Sequence, residues 1–186
     1  MVALGFVLGS LLLAPAPQLP LASSTTYEEP PFLQAHYPAP DARGVATGDL
    51  DGDGDVDVAV ACGTEVRVLW GNGKGWIERL DRLDLAALAV EVADLDGDGS
   101  ADLVVAGNGV AYTLLSDGQG GFATPIPWSI GGPAIVMLAA DLDLDTHVDL
   151  VVATDEVFAG APEQVEVLLG NGQGGFLSTA VLAQFK

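Results

Sequence analysis

The sequence predicts an all-β protein built of β-propeller blades: three four-stranded blades plus one orphan strand, an incomplete ring. Three observations predict it. An acidic nonapeptide recurs, as DLDGDGDVD at Asp49–Asp57, DLDGDGSAD at Asp94–Asp102 and DLDLDTHVD at Asp141–Asp149. The first aspartates of successive copies are 45 and 47 residues apart, and repeats of that length with four short strands each are the mark of propeller blades. Finally, every copy is followed by the same order of short apolar and alternating runs, and no long segment holds a helical period.

Taken in order, residues 1–24 read as a signal peptide. Met1 to Leu13 is apolar and too short for a membrane span, and Ala22-Ser23-Ser24 offers small residues for cleavage. The segment lacks a basic n-region. Residues 25–42 form a linker and the orphan strand, placed at Phe32 to Tyr37. The first blade covers 43–87. Val45 to Thr47 leads into the acidic loop, Asp57 to Cys62 leaves it as a Val-rich run, and Glu65 to Trp70 alternates as a strand. Gly71-Asn72-Gly73-Lys74-Gly75 turns the chain, and Trp76 to Leu80 returns.

The second blade, 88–133, repeats the order with Val90 to Ala93, Leu103 to Ala106, Tyr112 to Leu115 and Phe122 to Ile126. The third, 134–186, does so with Ile135 to Ala140, Leu150 to Ala153, Val165 to Leu169 and Phe176 to Val181. Alternating turns put the acidic loop, between strands 1 and 2, on the same rim as the glycine turn between strands 3 and 4.

Each nonapeptide sets carboxylates at positions 1, 3, 5 and 9. Calcium takes six to eight oxygen ligands, commonly from alternate residues of one tight loop. The three loops therefore predict calcium sites, with a glycine at position 6 (Gly54, Gly99) allowing the sharp turn. The third loop has Leu144 and Thr146 where the others have glycines, and a β-branched residue resists positive φ, so that site is expected to be the weakest. An EF-hand is excluded by spacing, since position 12 is Val60, Val105 and Val152. The glycine turns are not phosphate loops, because no helix and no Lys-Ser/Thr pair follows them.

The loops with their flanks, GDLDGDGDVDVAVA, ADLDGDGSADLVVA and ADLDLDTHVDLVVA, and the turns GNGKGW, DGQGGF and GNGQGGF resemble the FG-GAP or VCBS-type repeat of integrin α-subunit-like propellers and of secreted bacterial proteins. The resemblance covers about residues 32–186. It implies side-chain ligands Asp49, Asp51, Asp53 and Asp57, then Asp94, Asp96, Asp98 and Asp102, then Asp141, Asp143, Asp145 and Asp149. It further implies that position 7, which is Asp55, Ser100 and His147, gives its backbone carbonyl.

Net charge is −20, yet 13 of the 26 acids lie in the three loops, so the acidity is mostly local coordination chemistry. The six bases form no cluster, which argues against nucleic acid as partner. Cys62 is the only cysteine, so there is no internal disulfide, and it reads as a buried small hydrophobe. No catalytic constellation is found, and the chain reads as no enzyme. The expected function is an exported, secreted or cell-surface calcium-binding module for protein or glycan binding and adhesion, the ion being structural. The alternative is a structural or appendage propeller of a larger secreted protein, one that could bear an enzyme.

Three blades do not close a ring, so a piece of a longer chain is favoured over an oligomer, with remaining blades or another subunit completing it. Trp70, Trp76, Phe122 and Phe176 recur at equivalent places and are expected to pack in the core. Trp128 and Phe158 do not recur, and are expected on the rim opposite calcium as a ligand platform. Phe158 lies in an insertion of the third repeat, Thr154 to Gln164.

Overall fold

The computed structural model describes residues 37–155 and 163–185. The signal peptide and the orphan strand expected at 32–37 lie outside the described residues, apart from Tyr37, which is in no strand. Among the described residues every regular element is a strand. The first repeat is β1 (Gly44–Gly48), β2 (Asp57–Ala61), β3 (Val66–Gly71) and β4 (Ile77–Leu83), an antiparallel four-stranded meander in chain order. The rest is one seven-stranded antiparallel sheet: β5 (Ala89–Ala93), β6 (Asp102–Ala106), β7 (Asn108–Leu114), β8 (Ile126–Ala140), β9 (Asp149–Thr154), β10 (Glu163–Gly170) and β11 (Phe176–Phe185). Neither sheet closes on itself.

Short strands form because each acidic loop and each glycine turn ends one. Their registers show the meander plainly, with Gly48 opposite Asp57 across the first loop and Ala93 opposite Asp102 across the second. Within β6 every residue is buried, as expected for a strand covered on both faces. Cys62 is buried at the end of β2, and desolvation raises its thiol pKa, in keeping with a structural residue.

The change of partner between the second and third repeats falls between residues 133 and 134, where the repeats were expected to meet, but the strand runs through it without a loop. Gly131-Gly132-Pro133 sits inside β8, whose first part pairs β7 (Trp128 opposite Ala111) and whose second part pairs β9 (Met137 opposite Val152). The strand bends at this point, with a bulge between Ala134 and Val136. A bulge tolerates the missing N–H of Pro133, and glycines tolerate the bend. Phe122, expected to start a strand, makes only an isolated bridge to Ser116, and the strand begins at Ile126.

The core lies between repeats. Ala59, Ala61 and Val66 of the first repeat pack with Val90, Leu103 and Val105 of the second. Val104, Ala106 and Ala111 of the second pack with Met137, Leu150 and Val152. The second repeat thus has a leading face covered by the first and a trailing face covered by the third. Burying each Val, Leu or Met among them contributes about 1.5–3 kcal/mol, so these faces carry much of the stability.

Candidate functional site

The three acidic loops share one backbone path. Its left-handed turns fall at positions 4 and 6: Gly52 and Gly54 at φ 74° and 88°, Gly97 and Gly99 at 76° and 92°, Leu144 and Thr146 at 64° and 77°. The third loop keeps the conformation without the glycines. Left-handed backbone costs an L-residue roughly 1–2 kcal/mol, and the β-branched Thr146 is the worse placed of the two.

The position-1 aspartate organises each loop. Asp49 Oδ1 and Oδ2 accept from Gly52 N and Gly54 N at 2.8 and 2.9 Å, and Asp94 accepts likewise from Gly97 N and Gly99 N at 2.8 and 3.0 Å. In the third loop Thr146 N donates to Asp141 Oδ2 at 3.1 Å. Asp53, Asp98 and Asp145 each accept from the N–H two residues on, at 2.8, 2.7 and 2.8 Å. Such bonds point the carboxylates to one side of a curled backbone.

Carboxylate oxygens converge within 4.8 Å of one another in every copy: Asp49, Asp51 and Asp53 in the first, Asp94, Asp96 and Asp102 in the second, Asp141, Asp143 and Asp149 in the third. Hard oxygen donors on a tight turn fit a hard divalent cation. The carboxylates at positions 1 and 3 therefore come together in all three loops. Position 5 joins them only in the first, and position 9 only in the second and third. Asp55 and Ser100 bring no side chain into these groups. The His147 ring instead lies against Asp145, its Nδ1 3.1 Å from Oδ2, and faces the glycine turn at Gly172. The Asp51 carboxyl is pushed up by desolvation and then by the neighbouring Asp53 charge, the repulsion a cation would relieve.

The position-9 aspartate has a second task that sequence reasoning missed. Asp57, Asp102 and Asp149 are each 1% exposed, though they open strands. Asp57 accepts from Leu50 N within its own loop and from Gly71 N at the glycine turn, both at 2.8 Å. Asp102 does the same with Leu95 N and Ser116 N at 2.9 and 2.8 Å, and Asp149 with Leu142 N and Gly170 N, both at 2.8 Å. One buried carboxylate thus ties the acidic loop to the glycine turn. Burial raises the pKa of Asp57 and Asp102, and their backbone donors oppose the shift.

The loop and the turn share a rim, as expected. The turn's central glycine faces position 7 of its own loop, Gly73 against Asp55 and Gly118 against Ser100. The same rim also links neighbours. Ser116 Oγ donates to Leu50 O at 2.9 Å, Gly174 N donates to Leu95 O at 3.1 Å, and a side chain at Gly52 would run into Gly118 O. Arg79 stacks 4.2 Å over the Trp70 ring and reaches Gly120 O at 3.3 Å.

Position 2 is the other residue missed. Leu50 is fully buried and Leu95 4% exposed, whereas Leu142 is 46% exposed. Ala101 and Phe122 of the second repeat pack on the cluster around Leu50. Leu95 shares a cluster with Phe176 of the third repeat, against which Val148 packs. The signal was available: a leucine stands at position 2 of each otherwise acidic loop.

Two aromatic placements need correction. Trp76 is 51% exposed rather than packed in the core, because among the described residues no repeat precedes its own. Trp70 and Phe176 are buried and Phe122 partly so, as expected. Trp128 lies within β8, not in a connection on the opposite rim. Its ring meets Phe176 edge-on at 5.4 Å, beside Gly175 of the third glycine turn. Phe158 falls outside the described residues.

The model of the FG-GAP-like repeat matches residues 49–105 and 94–152, in two overlapping copies that together cover more than half of the chain. No curated protein matches it. Among solved structures, it resembles an Agrocybe aegerita lectin, described as specifically recognising non-reducing terminal N-acetylglucosamine. The TM-score is 0.53 and the identity 21%, over 77% of this chain and 38% of that one. A chain of the Photorhabdus luminescens Tc holotoxin pore aligns at TM-score 0.48 and 22% identity, over 72% of this chain and 6% of that one. The chain thus spans well under half the length of the lectin, and that likeness is one of β-propeller-like fold.

Proposed function

The chain belongs to the FG-GAP-like repeat family, and from that premise we propose that it is an exported, calcium-binding β-propeller module of three blades that binds a protein or glycan. One observation carries the metal reading: converging carboxylates at positions 1 and 3 recur three times, each on a loop clamped to its glycine turn by a buried aspartate. Calcium in this reading is structural. It neutralises the carboxylates at positions 1 and 3 and so holds the rim that joins neighbouring blades. No catalytic role is assigned to the chain.

Calorimetric titration with calcium, on wild type and on Asp51→Ala, Asp96→Ala and Asp143→Ala, tests this. The first two variants should each lose a tighter site than the third. No heat of binding, together with no calcium-dependent rise in melting temperature, overturns it.

The ligand is proposed to lie on the rim opposite the acidic loops, at the long β9–β10 connection that contains Phe158. Trp128, turned into the interior, is dropped from this surface. The Agrocybe lectin makes terminal N-acetylglucosamine the first glycan to try. Binding on a glycan array or to a cell-surface protein should be lost in Phe158→Ala and weakened only indirectly by chelation. Unchanged binding in that variant rejects the placement.

A further inference from the structure

Of the nine large apolar side chains left exposed among the described residues, six fall on two surfaces. Val45, Val56 and Trp76 are on the leading face of the first repeat; Val136, Leu138 and Leu142 are on the trailing face of the third. The equivalents of all six inside the molecule are at least partly covered. Val90 and Met137, which stand where Val45 does, are buried against the preceding repeat. Leu50 and Leu95, which stand where Leu142 does, are buried under the following one.

The two internal junctions have one design. The position-2 leucine is a knob. It enters a slot made by the position-8 residue and the aromatic after the glycine turn of the next repeat. Leu50 meets Ala101 and Phe122, and Leu95 meets Val148 and Phe176, in their respective clusters. The corresponding slot on the first repeat is a groove of about 370 Å³ lined by Val56, Val58, Trp76 and Ile77 beside Gly71 and Gly75. The matching knob without a slot is Leu142. Among the described residues nothing fills the one or covers the other.

We propose that two copies of this chain associate head to tail, Leu142 of each entering the Val56–Trp76 slot of the other, to close a six-bladed ring. The contact continues the pattern of the two junctions already in the molecule. Six blades lie within the four to eight of known propellers. Both copies offer one knob and one slot, so a two-fold axis satisfies all four faces and growth stops. Exposed apolar faces of this extent favour such burial over solvation. The proposal rests on the blade reading above, but not on ligand binding.

Sedimentation equilibrium of the full chain in calcium should give a species of twice the chain mass. Leu142→Asp and Trp76→Glu alter exposed side chains. Each should leave the circular dichroism spectrum and the melting temperature of the monomer unchanged, and weaken association by about 30-fold or more. The decisive sample is an equimolar mixture of the two variants. In a ring of unlike partners one junction keeps both its knob and its slot and the other carries both changes, whereas either variant alone has both junctions damaged. Since two changes in one contact cost less than their sum, the mixture should associate more tightly than either variant alone. A wild-type monomer throughout the micromolar range, an open-ended ladder of larger species, or no recovery in the mixture overturns the proposal. A wild-type monomer that still takes up calcium overturns the ring and leaves the calcium module standing.

Discussion

Residues decide how well each loop holds its shape, and two of them are spent against their preference. Leu144 and Thr146 occupy left-handed backbone at φ 64° and 77°. Leu144→Gly and Thr146→Gly should each raise stability by about 1 kcal/mol in the presence of chelator, net of the entropy glycine adds to the unfolded chain. They should also tighten calcium at the third loop. Urea melts and calorimetry read both effects, and a loss of stability in Thr146→Gly would refute the strain. The buried clamp gives a contrasting case. Asp102→Ala removes the acceptor for Leu95 N and Ser116 N and should cost roughly 2–5 kcal/mol even without calcium. Asp98→Ala, at an exposed position, should cost under about 0.5 kcal/mol in chelator. Equal losses in the two would mean that the position-9 carboxylate is only a ligand. The convergence of the acids was legible because the carboxylates that meet are close in sequence. The clamp was not, since its second donor lies 14 residues away in Asp57 and Asp102, and 21 away in Asp149.

At the scale of elements, strands facing another repeat carry side chains whose ionisation depends on that neighbour. Glu91 in β5 is pushed above the usual glutamate range, chiefly by desolvation, with a backbone donor at Ala139 of β8 pulling the other way. The folded state therefore holds this proton more tightly than the unfolded chain. Its contribution is favourable below the ordinary glutamate pKa and is lost as pH rises through the raised value. Glu91→Gln should accordingly melt higher than wild type at pH 7, and the gap should shrink as pH falls toward 4. A gap that widens on acidification would show the sign to be wrong. Ten of the eleven strands were legible near their observed places, because alternation and turn glycines mark them. The exception is instructive. Gly131-Gly132-Pro133 has the composition of a loop, and only pairing with β7 on one side and β9 on the other keeps β8 continuous. The exposure of Trp76 was equally hidden, since a recurring aromatic position is buried only where a predecessor exists.

For the whole molecule, a net charge of −20 means that the proposed cation would act on overall stability as well as on local geometry. Millimolar calcium should raise the melting temperature far more than sodium chloride of equal ionic strength. Each site occupied at a hundred times its dissociation constant adds about 2.7 kcal/mol. Differential scanning calorimetry in the two salts checks this, and equal rises would reduce the effect to charge screening. One further consequence follows from β8. The second and third repeats share that one strand, β7 pairing its first part and β9 its second, while the first repeat meets the second chiefly through side chains and loop contacts. Under tension the molecule therefore has a predetermined tear line. A pull on its two ends should detach the first four strands before the seven-stranded remainder yields, so that anything tethered by the far end is held by the stronger part.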